Sequence, residues 1–314
     1  MGSETKANIL PIIHFAVENL KPGTSSWLST CKNVRDALEE HSCFLIQYEK
    51  IPSELINAIF LQLEELFNLP TETKVQNITK TDGLIGYVGK RPSNPTIESM
   101  GIEDVINPEA VLKFTNLMWS SGNDSFSELM ESYKNHVSDL EKVVMRMIFE
   151  SYGVEKSYSS YNESSNRMIR FNKHRPPQLN ENIGGVHEHT DPTFVTIIQQ
   201  NQVTSLEVKS KDGSWIAVHF PPSSFLVMAG DALLAWSNGR VHSTLHRVRM
   251  SPGETRFSTA LFSYHNGTIQ VPKELVDDDH PLQFKPFDQL GFFRFTFSNF
   301  SLNDESKIRA YCGV

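Results

Sequence analysis

Cysteine is scarce. Only Cys31, Cys43 and Cys312 occur, widely spaced and in no CxxC arrangement, so neither a disulfide framework nor a zinc knuckle is expected and all three read as packing thiols. Long apolar runs are missing too: none approaches the roughly 20 residues that span a bilayer, and the opening MGSETKANIL has no signal-peptide core. Basic residues do not prevail, since 29 Lys and Arg against 37 Asp and Glu leave a net charge of −8, which repels polyanions. Internal repeats, low-complexity tracts and long linkers are also lacking. The expectation is a cytoplasmic monomer, one domain spanning 1–314, that works on a small molecule, with neither nucleic acid nor membrane as partner.

What is present changes character along the chain. Residues 1–160 read as mainly helical. Leu28, Cys31, Val34 and Leu38 recur at helical spacing, and Leu55, Ile59, Leu63 and Leu66 repeat the pattern before Pro70. A longer helix opens with Ser125 and Glu128 in capping-box spacing, turns Phe126, Leu129, Met130, Tyr133, Val137, Leu140 and Met147 inward, and ends at Gly153. The stretch from Lys80 to Gly122, rich in Gly, Pro, Asn and Ser, reads as a long loop and a candidate lid. Residues 161–272 then break into short β-rich runs such as NRMIRFN, FVTIIQQN, SFLVMAG and RFSTALFSYH, with Lys211-Asp212-Gly213 as a hairpin signal. Helix returns in 273–314, near Glu305. Many short strands bounded by turns imply a barrel or a two-sheet jelly roll, giving an α+β chain with an all-β core between N-terminal and C-terminal helices.

The chemistry lies in the β-rich part. In VHEHTDPTF, His189 and Asp191 are two residues apart, so on a strand they share a face while Thr190 points away. His246, in NGRVHSTLHRVRM, supplies a third ligand from a neighbouring strand and completes a facial triad of the kind that binds Fe(II) and leaves positions open for an oxo-acid and dioxygen. His187 shares the face of His189 but would fill one of those positions, so it and His242 read as pocket-wall or supporting residues. Arg256 and Ser258, in RFSTALF, offer a guanidinium fork and a hydroxyl to a carboxylate. Tyr87, Met118, Trp119 and Phe194 are apolar or aromatic candidates for a substrate wall. Two rival readings share the triad. A cupin-like metal-dependent hydrolase or isomerase would have no need of Arg256 and Ser258, and a non-catalytic small-molecule binding protein of the same fold would not be expected to keep every ligand.

Together these residues make the chain resemble the plant Fe(II)/2-oxoglutarate-dependent dioxygenases. Ile9 to Ile13 is similar to that family's opening strand, Phe67-Asn68-Leu69-Pro70 with Lys74 to its FF-x-LP-xx-K segment, Gly86-Tyr87 to its Gly-Tyr turn, and Lys211 to Val248 is the closest match. Blocks such as ESMGI, FTNLMW and AYCGV are similar to a subgroup of specialised-metabolism, auxin and glucosinolate dioxygenases. The resemblance implies a double-stranded β-helix with His189, Asp191 and His246 on Fe(II), and Arg256 and Ser258 on the distal carboxylate of 2-oxoglutarate, with Asn172 near its chelating end. It implies O₂ as co-substrate, ascorbate as reductant, and oxidation of a small hydrophobic plant metabolite such as an alkaloid, terpenoid, steroid or phenolic. Hydroxylation is the default outcome, with desaturation, ring closure and demethylation as variants. Asp191 argues against halogenation, because a halide would need its coordination position. One departure touches the site: the family's Asn-x-Tyr pair is Asn172-Lys173-His174 here. His174 is expected to donate from a ring nitrogen, and its protonation near neutral pH to strengthen the grip on 2-oxoglutarate.

Overall fold

The computed structural model describes residues 9–78, 86–89, 95–178, 181, 185–299 and 304–314. Eleven strands matter for the site: β1 (Ile12–Phe15), β2 (Cys43–Tyr48), β3 (Ile97–Ile102), β4 (Ser165–His174), β5 (Gly185–His189), β6 (Val195–Gln200), β7 (Leu206–Lys209), β8 (Trp215–Ala217), β9 (Ser224–Ala229), β10 (His246–Arg249) and β11 (Arg256–His265). They form a seven-stranded sheet in the order β1-β2-β9-β6-β11-β4-β3 and a four-stranded sheet in the order β5-β10-β7-β8. Their pairings are antiparallel except that of β1 with β2.

Period-two alternation sorts the side chains of the larger sheet between two cores. Ile198, Leu226, Met228 and Ala260 point toward the smaller sheet and pack with Leu206, Val208 and Val248. Their neighbours Ile197, Val227 and Leu261 point the other way, into a larger core shared with the helices. The helices are α1 (Ser25–His41), α2 (Ser53–Asn68), α3 (Thr71–Lys74), α4 (Ala110–Met118), α5 (Asp124–Ser151), α6 (Tyr158–Ser164), α7 (Asp231–Trp236), α8 (Gln289–Ser298) and α9 (Asp304–Cys312). This is the α+β architecture expected, a double-stranded β-helix whose larger sheet is backed by helices. Among the described residues no helix is long and apolar enough to cross a membrane.

Several local expectations hold and others shift. The Lys211-Asp212-Gly213 turn joins β7 to β8, and Gly213 carries the positive φ of 85° that such a turn requires. At the end of α5, Val154 N–H reaches Phe149 O and Gly153 has φ 71°, a left-handed stop that only glycine takes without cost. In α1 the buried stripe starts at Trp27, not Leu28, which is 58% exposed; Thr24 caps this helix by accepting from Trp27 N, which turns the indole inward. In α5 the cap is Asn123, whose Oδ1 accepts from Phe126 N at 3.0 Å, so Ser125 sits inside the first turn. The largest departure is in Lys80 to Gly122. β3 and α4 lie there, and the glycine-bearing IESMGI is held extended by six consecutive pairings with β4, a tertiary contact that overrides weak local propensity. Residues 80–85 and 90–94 of that stretch lie outside the described residues. The N-terminal half thus lends three strands to the larger sheet and is less purely helical than its periodicity suggests.

The cap assignment is checked by urea denaturation. Asn123→Ala should cost about 1 kcal/mol, while Ser125→Ala should stay within about 0.5 kcal/mol of the parent.

Candidate active site

β10 lies antiparallel between β5 and β7, which sets His246 directly opposite His189 on one side and the inward-facing Val208 on the other. The two imidazole rings therefore stand 4.2 Å apart at the end of the smaller sheet. Each ring is fixed in the same way: Nδ1 of His189 bonds to His187 O at 2.9 Å, and Nδ1 of His246 bonds to Thr244 O at 3.0 Å. A carbonyl can only accept, so each Nδ1 carries its proton and each Nε2 lone pair is turned toward the space between them. Nε2 of His189 lies 3.8 Å from Asp191 Oδ1, and Nε2 of His246 lies 4.0 Å from Asp191 Oδ2. These separations are too long for hydrogen bonds, and one ligand atom from each residue falls within 4.8 Å of the others, so the donor set fits a single divalent cation. His187 and His242 are exposed and stay outside this group.

Asp191 is not on the strand, because β5 ends at His189. Its carboxylate is aimed instead by Thr196, a buried residue of β6 whose hydroxyl donates to Oδ2 at 2.7 Å and sits 3.0 Å from Thr193 Oγ1. The main chain is held from below, where Asp231 N donates to Asp191 O at 2.8 Å and Ala232 N donates to Thr193 O at 3.1 Å. Gly230 is required for that approach, since a Cβ there would lie 2.0 Å from Thr193 O although its φ of −97° suits any residue. Thr196 was not foreseen from the sequence. Its signal was the alternation in FVTIIQQN, which places residues 196, 198 and 200 on the inter-sheet face.

The second group of polar residues comes from cross-strand register. β11 pairs Arg256 with His174 and Ser258 with Asn172 on β4, and Ser258 with Gln200 on β6. Directly paired residues share a face, and Ala260, two further along β11, belongs to the inter-sheet core. Arg256 is 2% exposed, donates from Nε to Gln200 Oε1 at 2.9 Å and from Nη1 to His174 Nδ1 at 3.4 Å, and has no carboxylate partner among the described residues. Burial pushes its pKa down to about 9, so it remains cationic at neutral pH. Asn172 Nδ2 reaches Ser258 Oγ at 3.5 Å.

His174 corrects an expectation. Burial first, and the Arg256 charge second, push its pKa well below the ordinary imidazole range, so the ring is neutral at pH 6 to 8 and does not act as an imidazolium. Since Nδ1 accepts from Arg256, the single ring proton sits on Nε2, a buried atom with no partner among the described residues. A buried cation without an anion and a buried donor without an acceptor, side by side, fit one carboxylate.

The four residues suggested as a substrate wall lie elsewhere. Phe194 is fully buried against Phe149, Tyr161 and Trp236, with ring centroids at 6.4, 5.0 and 5.5 Å. Met118 is 2% exposed in the helix-side core, and Trp119 packs on Phe126 at 4.8 Å. Tyr87 donates to Glu98 Oε2 at 2.8 Å, the oxygen that Lys74 meets at 2.6 Å. Glu98 alternates with Met100 and Ile102 on the helix side of β3. All four are packing or strut residues, in or against the helix-side core. A cavity of about 510 Å³ lined by Glu188, Lys209, Lys211 and His242 does not include the triad or Arg256.

A His-Asp-His group on a double-stranded β-helix, with a buried guanidinium between the sheets, points to an oxygenase class, and the comparisons agree. Residues 164–265 match the model of the 2OG-Fe(II) oxygenase superfamily, and residues 10–102 that of the non-haem dioxygenase in morphine synthesis N-terminal region. The chain belongs to the 2-oxoglutarate-dependent dioxygenase family and uses Fe(II) and 2-oxoglutarate. It is 40% identical over 293 residues to the Probable 2-oxoglutarate-dependent dioxygenase AOP1 of Arabidopsis thaliana, covering 91% of this chain and 96% of that one. Among solved structures it is similar to the rice dioxygenase for auxin oxidation, with a TM-score of 0.83, 26% identity, and coverage of 97% of this chain and 100% of that one. The dioxygenase for auxin oxidation 1 of Arabidopsis thaliana, in a binary complex with 2-oxoglutarate, gives a TM-score of 0.79 and 27% identity over 87% of this chain and 100% of that one.

Gly230→Ala tests the close approach beneath the metal loop. It should cost about 1 to 3 kcal/mol by overpacking, read as a lower thermal midpoint, and should weaken divalent-metal binding measured on the same sample.

Proposed function

We propose that His189, Asp191 and His246 hold Fe(II), that Arg256, Ser258, Asn172 and His174 hold 2-oxoglutarate, and that the enzyme oxidises a small, largely apolar plant metabolite such as an alkaloid, terpenoid, steroid or phenolic. The observation that carries this reading is the buried Arg256–His174 couple, a cation and a neutral N–H donor with no acid to meet them among the described residues, facing the inter-sheet space from the larger sheet while the two histidines of the triad stand on the smaller one. A hydrolase or isomerase using the triad alone has no use for such a couple. Bound there, Fe(II) and 2-oxoglutarate would let O₂ act as the oxidant, its four electrons drawn two from the decarboxylation of 2-oxoglutarate to succinate and CO₂ and two from a substrate C–H bond.

The chain's own contribution is placement. The carbonyls of His187 and Thr244 present both Nε2 atoms, Thr196 turns the Asp191 carboxylate, and Gln200 and His174 hold the Arg256 fork in one orientation before a ligand arrives. Asp191 also occupies the position a halide would need, which favours hydroxylation, desaturation, ring closure or demethylation. The relatives named for auxin oxidation support a substrate of small-metabolite size.

The test begins with anaerobic addition of Fe(II) and 2-oxoglutarate, which should give a weak visible charge-transfer band. A metabolite-library screen following succinate, with mass spectrometry of products, should then find a substrate. Absence of both the band and substrate-dependent succinate refutes the reading. Arg256→Gln should weaken 2-oxoglutarate about 10- to 100-fold, the loss of a charge-assisted hydrogen-bond pair. His174→Gln should weaken it several-fold without changing the shape of the pH profile between pH 6 and 8. A wild-type affinity that tightens toward pH 6, with the slope lost in the variant, would restore the imidazolium.

A further inference from the structure

We infer that Gln289 is a positioning residue for the metal loop, acting through Pro192 to hold Asp191 in register with His189 and His246. This rests on the reading of Asp191 as a metal ligand. Three consecutive carbonyls in that loop are captured: Asp191 O by Asp231 N, Thr193 O by Ala232 N, and Pro192 O by Nε2 of Gln289 at 3.2 Å. The two outer donors are main-chain groups at the start of α7, which no substitution there removes except proline. The middle one is a single side chain 97 residues further along the chain. Pro192 has no N–H, so its carbonyl is the one hydrogen-bonding group it offers.

Gln289 is placed for this role with little freedom. It is fully buried at the first position of α8, whose start is fixed by Asp288 accepting from Gly291 N at 2.5 Å. Its Oε1 accepts from His265 N at 2.6 Å. His265 ends β11, the strand that begins at Arg256, so one carboxamide ties the metal loop to the strand of the carboxylate cradle. A primary amide of this length donates to one of these partners and accepts from the other, which the isosteric carboxylate of Glu cannot do. Freed of the middle tether, the loop keeps its outer anchors but gains freedom at the peptide next to Asp191.

The test uses the full chain stripped of metal, with Mn(II) as probe. Free Mn(II) is followed by electron paramagnetic resonance, and thermal midpoints are taken with and without the ion. Gln289→Met keeps the volume and removes both hydrogen bonds. It should weaken Mn(II) about tenfold, the lower end for residues that orient metal ligands, and shrink the Mn(II)-induced rise in midpoint. Gln289→Asn, one methylene shorter and unable to bridge both partners, should move the same way and carries the test if the Met variant does not fold. If the wild type itself fails to bind Mn(II), the metal-ligand reading falls. If it binds and the variants bind equally, or lose only metal-free stability while keeping the full Mn(II)-induced rise, the positioning role is overturned.

Discussion

Arg256 carries a full charge into the space between two sheets and, among the described residues, meets only neutral groups there, Gln200 and His174. A buried charge without a counter-charge is destabilising unless hydrogen bonds and a later ligand compensate it. Neighbouring structure is arranged around that constraint. The long β4 and β11 pairing places His174 and Asn172 opposite Arg256 and Ser258, and β6 on the other flank brings in Gln200. A site kept unsatisfied in this way sacrifices stability for readiness, because the polar groups need not reorganise when an anion arrives.

The metal group obeys a different constraint, that of direction. Two histidines on paired antiparallel strands are set by register, and their rings by carbonyls two residues earlier on their own chain. Asp191 lies beyond the strand and owes its place to Thr196, α7 and α8, from three other parts of the chain. Two ligands are thus placed locally and one by tertiary contacts, so changes far from the site in sequence are transmitted mainly through the carboxylate.

This division explains what could be read from residues alone. His189, His246, Arg256 and Ser258 lie on strands, where parity is a local rule, whereas Asp191, past the end of β5, was picked out by its two-residue spacing from His189 and is placed by tertiary contacts. The core of α5 and its glycine stop were legible from helical periodicity and a left-handed end, which are local rules too. Trp27 and Leu28 are adjacent, as nearly are Asn123 and Ser125, and periodicity does not fix a helical phase to one residue without the cap geometry. β3 was hidden because its extended shape comes from β4. Phe194, three residues after Asp191, looked like a site residue, yet the chain turns between them and sends the ring to α5. Gln289 left no local signal, since both of its partners lie in distant segments.

His174 shows how one contact decides the chemistry of another. A phenol, as the family's pattern has at this place, is neutral near pH 7 by a wide margin, whereas an imidazole in water titrates there. Replacing one with the other would therefore put a second, pH-dependent charge into the cradle unless the surroundings prevented it. Burial first, and Arg256 second, prevent it: the dry site disfavours any added charge, a fixed cation within hydrogen-bond distance disfavours a second one, and by donating to Nδ1 Arg256 also forces the remaining proton onto Nε2. Burial thus does most to set the charge of His174, and the guanidinium sets its tautomer. Decarboxylation leaves the distal carboxylate intact in succinate, so any group that tightens the grip on 2-oxoglutarate also slows departure of the product. One buried cation with neutral donors beside it suits a site that must release what it binds, which is a physical reason for a histidine to stand here only while it stays uncharged.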